Sequence, residues 1–80
     1  MNSYPPTGAA ESRQFFDDER GYEVLLWINA YQYAESLKFA SWHNDTLNIP
    51  NEHGRNEVAK HGDLIVRENR GHKVLRQASN

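Results

Sequence analysis

The C-terminal part of the chain, residues 61–76, most constrains the fold, because it has the pattern of a β-hairpin. Residues 64–66 (Leu-Ile-Val) and 74–75 (Val-Leu) form two apolar runs. The Glu-Asn-Arg-Gly segment between them, residues 68–71, suits a type I turn in which Gly71 takes a positive φ. A hairpin of two strands is only marginally stable in water. The rest of the chain must therefore cover or extend these strands.

The chain is long enough for one small domain. It has 80 residues and no cysteine, so neither a disulfide nor a thiolate metal site can stabilise it. The N-terminal segment is rich in Ser, Pro, Gly and Ala, and we expect residues 1–20 to form a flexible tail and residues 21–80 a single domain. A homo-oligomer would let so small a domain bury more apolar surface, and this alternative stays open.

One pair of residues in the expected tail is out of keeping with it. Phe15 and Phe16 are adjacent aromatic residues in an otherwise polar stretch. We expect them to fold back on the domain as a hydrophobic anchor, with Ser12 capping a short helical turn before them. The alternative is an exposed pair that binds a partner.

Residues 22–43 predict a strand followed by a helix. Residues 22–28 are dense in β-branched and aromatic side chains, which is typical of a central strand. Asn29 followed three positions later by Gln32 favours a helix N-terminus. Apolar and small residues then recur at spacings of three and four, as on a helix that packs on a sheet. We therefore expect a helix over residues 30–43, ended by Asn-Asp at 44–45.

The rest of the pattern consists of short strands. Residues 46–49 alternate between polar and apolar, and Pro50 limits this strand. Gly54 is the pivot of a loop, and residues 57–60 predict a return strand before the hairpin. The predicted fold class is α+β, with one helix packed on a small, mainly antiparallel sheet of four to five strands.

This order of elements resembles a family of small tailed-phage proteins that carry a Pro-Gly-Asp-Trp-Ile motif near the C-terminus. In that family a strand ending in Trp leads into a helix and a hairpin, and the motif, a Gly turn and a last strand follow. The motif's Pro and Trp are replaced here by His61 and Leu64. The resemblance covers residues 22–76 and implies a phage or prophage origin and a compact α+β fold, but no reaction. The matching positions are Trp27, residues 62–66 and Gly71.

No group of residues has the spacing of a catalytic or metal site. The four histidines, at positions 43, 53, 61 and 72, lie eight to eleven residues apart, without the short spacing of a helical or finger-type zinc site. The chain has no Gly-x-Ser-x-Gly element, and its adjacent carboxylates at residues 17–18 belong to a charged run. We therefore expect no enzyme activity, no cofactor and no metal.

The uneven distribution of charge makes nucleic acid one alternative partner. Residues 1–45 hold seven acidic and three basic residues, whereas residues 46–80 hold four acidic and six basic residues. Basic residues crowd the hairpin and could neutralise several phosphates. Edge-strand charges that prevent aggregation are the structural alternative. The candidate phosphate-binding residues are Arg67, Arg70, Lys73 and Arg76.

A protein partner is the interpretation that the composition favours. Nine aromatic residues are more than so small a core can easily enclose, and aromatic anchors carry much of the binding energy of interfaces. Together with the phage resemblance, this predicts stoichiometric binding that inhibits a host or defence protein. A third alternative, small-molecule capture at a dimer cleft, has no positive feature. The candidate partner-binding residues are Tyr31, Glu35, Phe39 and Trp42.

No segment of the chain predicts membrane insertion or secretion. No apolar run approaches the roughly 18 residues that span a bilayer. The N-terminus, with Tyr-Pro-Pro at residues 4–6, lacks the basic and then apolar pattern of a secretory signal. We therefore expect a location in the cytoplasm of the host cell.

Overall fold

A computed structural model describes residues 11–76 as one helix and six short strands. The strands form two three-stranded antiparallel sheets, ordered β1-β5-β6 and β2-β3-β4. The predicted α+β class is confirmed, but six strands in two sheets replace the expected single sheet of four to five. The elements are β1 (Ser12–Gln14), α1 (Arg20–Ala34), β2 (Ser41–His43), β3 (Thr46–Ile49), β4 (Glu57–Ala59), β5 (Leu64–Glu68) and β6 (Gly71–Leu75).

The C-terminal hairpin is confirmed, with a difference in its turn. Strands β5 and β6 pair from Leu64↔Leu75 to Glu68↔Gly71, so the turn contains two residues, Asn69 and Arg70. The positive φ of 61° lies on Arg70 rather than on Gly71.

Gly71 is needed for a different reason, which is the close approach of Asn51. A Cβ atom at Gly71 would lie 2.7 Å from Asn51 Oδ1. That oxygen accepts the His72 backbone N–H at 2.9 Å, and Asn51 Nδ2 donates to the His72 carbonyl at 3.1 Å. The Asn51 amide therefore pairs with the outer edge of β6 as one residue of a neighbouring strand would.

We expect Gly71→Ala to lower the free energy of unfolding by about 1–2 kcal/mol, because the new methyl group displaces Asn51 from both hydrogen bonds. Urea unfolding measures the change. Gly54→Ala is a comparison for backbone strain without a clash, since its φ of +86° disfavours alanine although its Cβ would meet no atom within 4 Å. Because Asn51→Ala removes the same two hydrogen bonds, the double variant should be no less stable than Asn51→Ala alone; additive losses would contradict the clash.

The second sheet confirms two predicted strands and adds one. Strands β3 and β4 fall where strands were expected. Strand β2 pairs with β3 through Trp42↔Leu47, and the chain reverses at Asn44 and Asp45, where Asn44 has a φ of 53°. The Asn-Asp pair predicted to stop a helix therefore forms the turn of a hairpin.

The predicted strand over residues 22–28 and the predicted helix over residues 30–43 are both wrong. The helix runs from Arg20 to Ala34, and Trp27 lies in its middle instead of ending a strand. Val24, Ile28 and Gln32, four residues apart, form its buried face. Packing of this face on both sheets outweighs the β preference of the β-branched and aromatic side chains.

Asn29 and Gln32, predicted to start the helix, instead hold the segment that follows it. Asn29 Oδ1 accepts the Ala40 N–H at 2.7 Å, and its Nδ2 donates to the Ala40 carbonyl at 3.2 Å. Gln32 Nε2 donates to the carbonyls of Lys38 and Pro50. Two amide side chains of α1 thus form hydrogen bonds with backbone groups of the segments that follow the helix. The spacing of Asn29 and Gln32 in the sequence does not distinguish this role from helix capping.

The tail predicted for residues 1–20 does not extend through residues 11–20, which are part of the folded unit. Strand β1 pairs with β5, and Ser12 belongs to this strand rather than capping a helical turn. Phe15 is fully buried, so the anchor prediction is confirmed for this residue. Phe16 is half-buried, with the Arg20 guanidinium 3.8 Å from its ring centroid. Residues 1–10 and 77–80 lie outside the described part of the chain.

One hydrophobic core joins the helix to both sheets. Glu57 Oε1 accepts the Val74 N–H at 2.9 Å, which ties β4 to β6 where the two sheets meet. The largest apolar core residues are Phe15, Ile28, Leu47, Ile49 and Ile65, all at 0% exposure.

Among residues 11–76 no helix is long and apolar enough to cross a membrane.

Candidate functional site

One face of α1 carries large apolar side chains that the fold leaves exposed. Tyr22, Leu26 and Tyr33 are 62%, 70% and 78% exposed. Their spacing of four and then seven residues places them on the same side of the helix, over three turns. The opposite side supplies the core. We call Tyr22, Leu26 and Tyr33 the α1 face.

An aromatic groove borders the N-terminal part of the α1 face. It has a volume of about 380 Å³ and is lined by Tyr22, Leu25, Trp42 and Asn44. The Tyr22 and Trp42 rings lie edge to face, with centroids 5.0 Å apart and an interplanar angle of 64°. The Trp42 ring also packs edge-on against Phe15 at 5.4 Å. Helix α1 and strand β2 thus present two aromatic side chains as the walls of one groove.

Trp42 is held in place by packing rather than by hydrogen bonding. Its buried Nε1 has no hydrogen-bond partner among residues 11–76. A Cβ atom at Gly21 would lie 2.7 Å from Trp42 Cη2 and 2.6 Å from the Phe16 carbonyl oxygen. Gly21 therefore lets the indole ring lie directly against the first turn of α1.

Acidic side chains surround this end of the helix. Glu19 and Glu23 are exposed beside Tyr22, and Asp45 is exposed next to Asn44. The basic residue of the stretch, Arg20, binds Asp18 at 2.6 Å. Hydrogen bonds from Arg20 lower the pKa of Asp18 to about 2. The groove therefore has an acidic border.

The four predicted partner-binding residues do not lie on one surface, and only Tyr31 belongs to the helix. Tyr31 faces the hairpin, where its hydroxyl accepts the Arg70 N–H at 2.8 Å and donates to the Glu68 carbonyl at 3.2 Å. Tyr31 lies nine residues from Tyr22, and therefore half a rotation away around the helix. Trp42 lines the aromatic groove.

The other two predicted residues follow the helix. Glu35 binds Arg70 Nη1 at 3.0 Å, so it contributes to an ion pair. Phe39 is 58% exposed in the segment between α1 and β2. Tyr22 and Leu26 were missed as candidates because the sequence analysis assigned them to a strand. In a helix, their spacing of four residues from each other and of seven residues from Leu26 to Tyr33 places all three on one side.

Arg67, predicted to contact phosphate, points into the molecule. Its guanidinium lies 4.1 Å from the Trp27 ring centroid and 4.5 Å from that of Tyr31. Nη2 donates to the Trp27 carbonyl at 2.8 Å, and Nη1 binds Glu11 at 3.2 Å. Burial lowers the pKa of Arg67, and the charge of Glu11 partly offsets this effect. Arg67 therefore joins β5 to α1 and to the chain before β1.

The remaining predicted phosphate contacts are separated from Arg67. Arg70, in the turn, forms ion pairs with both Glu35 and Glu52, and the hydrogen bond to Glu52 raises its pKa. Lys73 and Arg76 are exposed. Lys73 follows His72 in β6 and so lies on the other face of the sheet from the Arg67–His72 pair. The four cations do not form one surface.

His72 is buried beside Arg67 and has an altered titration. It is 1% exposed and lies edge to face against the rings of Trp27 and Tyr31. Its Nε2 accepts Arg67 Nε–H at 3.3 Å, whereas its Nδ1 has no hydrogen-bond partner within residues 11–76. Burial, with a smaller contribution from the charge of Arg67, lowers the pKa of His72 to about 4. The imidazole is therefore neutral at pH 7.

A second concave region is polar. It has a volume of about 510 Å³ and lies between the segment after α1 and the segment after β3, with Arg70 at one side. Glu52 lines it and binds Arg70, so the charge of that arginine is already neutralised. Across residues 11–76 no group of three or more His, Cys, Asp or Glu side chains could hold a metal ion.

Comparison of the chain with protein-family models, with curated proteins and with solved structures found no match. No family is assigned on these grounds.

Proposed function

We propose that this protein acts by stoichiometric binding to another protein through the α1 face. The observation that carries the proposal is the exposure of Tyr22, Leu26 and Tyr33, between 62% and 78%, on one side of the helix whose other side forms the core. Full burial of one such side chain stabilises a complex by roughly 1.5–3 kcal/mol. Aromatic residues grouped in this way are typical of interface anchors.

The resemblance to small tailed-phage proteins supports a more specific form of this proposal. A phage or prophage accessory protein of this kind would meet a host or defence protein in the host cytoplasm. Occupation of that partner's surface would inhibit it without any reaction. The position of Glu19 and Glu23 beside the α1 face favours a partner whose contact surface is apolar with a basic border.

The test compares two variants in pull-downs from bacterial lysate, with and without nuclease treatment. Leu26→Ser combined with Tyr33→Ser removes two members of the α1 face. Val58→Ser is the matched control, because Val58 is 41% exposed and lies in β4. We expect the wild-type protein and the control to retain one partner at near-equal stoichiometry. The amount of partner captured by the double variant should be at least about tenfold lower.

Two results would contradict the proposal. Equal capture by the double variant, with its fold intact by circular dichroism, would show that the α1 face is not the interface. Capture that disappears with nuclease would instead indicate phosphate contacts, for which Lys73 and Arg76 are the exposed basic residues.

A further inference from the structure

We propose that the aromatic groove between α1 and β2 binds an extended, proline-rich segment with basic flanking residues. This inference rests on the proposed function and names the part of the partner that the protein recognises. The groove is lined by Tyr22, Leu25, Trp42 and Asn44 and has a volume of about 380 Å³.

The aromatic walls fit a polyproline II helix. The Tyr22 and Trp42 rings meet at 64° with centroids 5.0 Å apart, and so form a ridged surface rather than a flat one. Proline rings of a polyproline II segment pack on the exposed surfaces of such aromatic side chains, and the preformed extended backbone loses little entropy on binding. Asn44 also lines the groove, and a side-chain amide can bond to a peptide carbonyl.

The backbone beside the groove disfavours the main alternative, a partner that adds a strand to the sheet. Strand β2 is at the edge of its sheet. The Ala40 N–H and carbonyl groups just before it are already bonded to Asn29. In a hairpin with a two-residue turn, Ser41 and His43 bond inward to β3, which leaves only the backbone of Trp42 facing outward. A strand needs several successive partners, whereas a polyproline II segment needs none.

The charge around the groove indicates basic flanking residues. Glu19, Glu23 and Asp45 are exposed near its ends, and Arg20 is paired with Asp18. Like charges placed opposite this border would repel it, so a segment with acidic flanks is disfavoured.

The two tryptophans of the chain make the test specific. Wild-type protein labelled with ¹⁵N is titrated with a ten-residue proline-rich peptide that has two arginines at each end. Only Trp27 and Trp42 give indole N–H signals. We expect a saturable shift of the Trp42 signal, and no shift of the Trp27 signal, because Trp27 packs against His72 at 5.6 Å on another side of the helix. Tyr22→Ala should weaken binding at least about tenfold.

Two further peptides test separately whether binding depends on the charge of the flanking residues and on the shape of the proline-rich segment. A peptide with glutamates in place of the arginines should bind at least about tenfold more weakly. A Gly-Ser peptide with the same arginines should produce no saturable shift of the Trp42 signal. Equal binding of the Gly-Ser peptide, a Trp27 shift of the same size, or no Trp42 shift at millimolar peptide would each overturn the proposal.

The outcome is distinguishable from failure of the proposed function. Val58→Ser changes neither the groove nor the α1 face, so peptide binding should be unchanged. If the Leu26→Ser and Tyr33→Ser variant loses protein capture and no peptide binds to the wild-type protein, the α1 face is the interface and the groove is not a peptide site. If the peptide binds but the variant captures the partner as well as the wild-type protein does, the groove is a peptide site and the α1 face is not the interface.

Discussion

Replacement of Arg67 by alanine should lower the free energy of unfolding by about 3 kcal/mol, because it leaves buried acceptors without donors. The guanidinium donates to the Trp27 carbonyl and to His72 Nε2, and it lies between the rings of Trp27 and Tyr31. Its side chain is 19% exposed, so water cannot readily replace these contacts. Urea unfolding followed by tryptophan fluorescence measures the effect.

Two comparisons make this result specific. Lys73→Ala removes an exposed cation from the neighbouring strand and should change stability by less than about 0.5 kcal/mol. Arg67→Lys keeps the charge but lacks the planar fork, and we expect it to recover less than half of the loss. A stability of Arg67→Ala equal to that of Lys73→Ala would show that Arg67 is a surface residue, as the phosphate-binding prediction requires.

Acidification should destabilise the protein through His72. The pKa of His72 is about 4 in the folded protein, against an ordinary value of 6.5. Between these values the unfolded chain binds a proton that the folded protein does not bind, so stability decreases as the pH falls. One pKa unit corresponds to about 1.4 kcal/mol, so the full contribution is about 3 kcal/mol. It is present above pH 6.5 and is lost as the pH falls to about 4.

Urea unfolding at several pH values from about 7 to about 4 tests this dependence. His72→Gln retains an acceptor for Arg67 but does not titrate, and its stability should vary less over this interval than that of the wild-type protein. The stability that Asp18 contributes is lost at lower pH than that of His72, because the pKa of Asp18 is lowered from 3.8 to about 2 in the folded protein. If the stability of His72→Gln decreases with falling pH as steeply as that of the wild-type protein, groups other than His72 cause the pH dependence.

The C-terminal hairpin and strands β3 and β4 could be predicted because their signals are local. Apolar runs separated by turn residues restrict pairing to one register wherever one face is buried. The same reasoning failed for residues 22–34. The β-branched and aromatic residues there suit a strand, but Val24, Ile28 and Gln32 also lie four residues apart. Helical and strand periodicity overlap in a short apolar run, and only packing against both sheets distinguishes them.

The candidate site depended on this distinction. A strand over residues 22–28 would place Tyr22 and Leu26 on the same face as the buried Val24 and Ile28, and it would not reach Tyr33, whereas the helix separates the exposed residues from the buried ones. Trp42 was named from the sequence, but its neighbours were not, because Phe15 and Gly21 reach it only through the tertiary fold.

The amino-acid sequence by itself determined the α+β class, the C-terminal hairpin and the burial of Phe15, because each follows from local composition and short-range pairing. Tertiary structure decided the position of the helix, the inward direction of Arg67 and the pairing of Asn29 with Ala40. These features depend on contacts between residues that are 11 to 40 positions apart. Side-chain hydrogen bonds and cation–π contacts over such separations have no periodicity in the sequence, and they form only when packing brings their partners together.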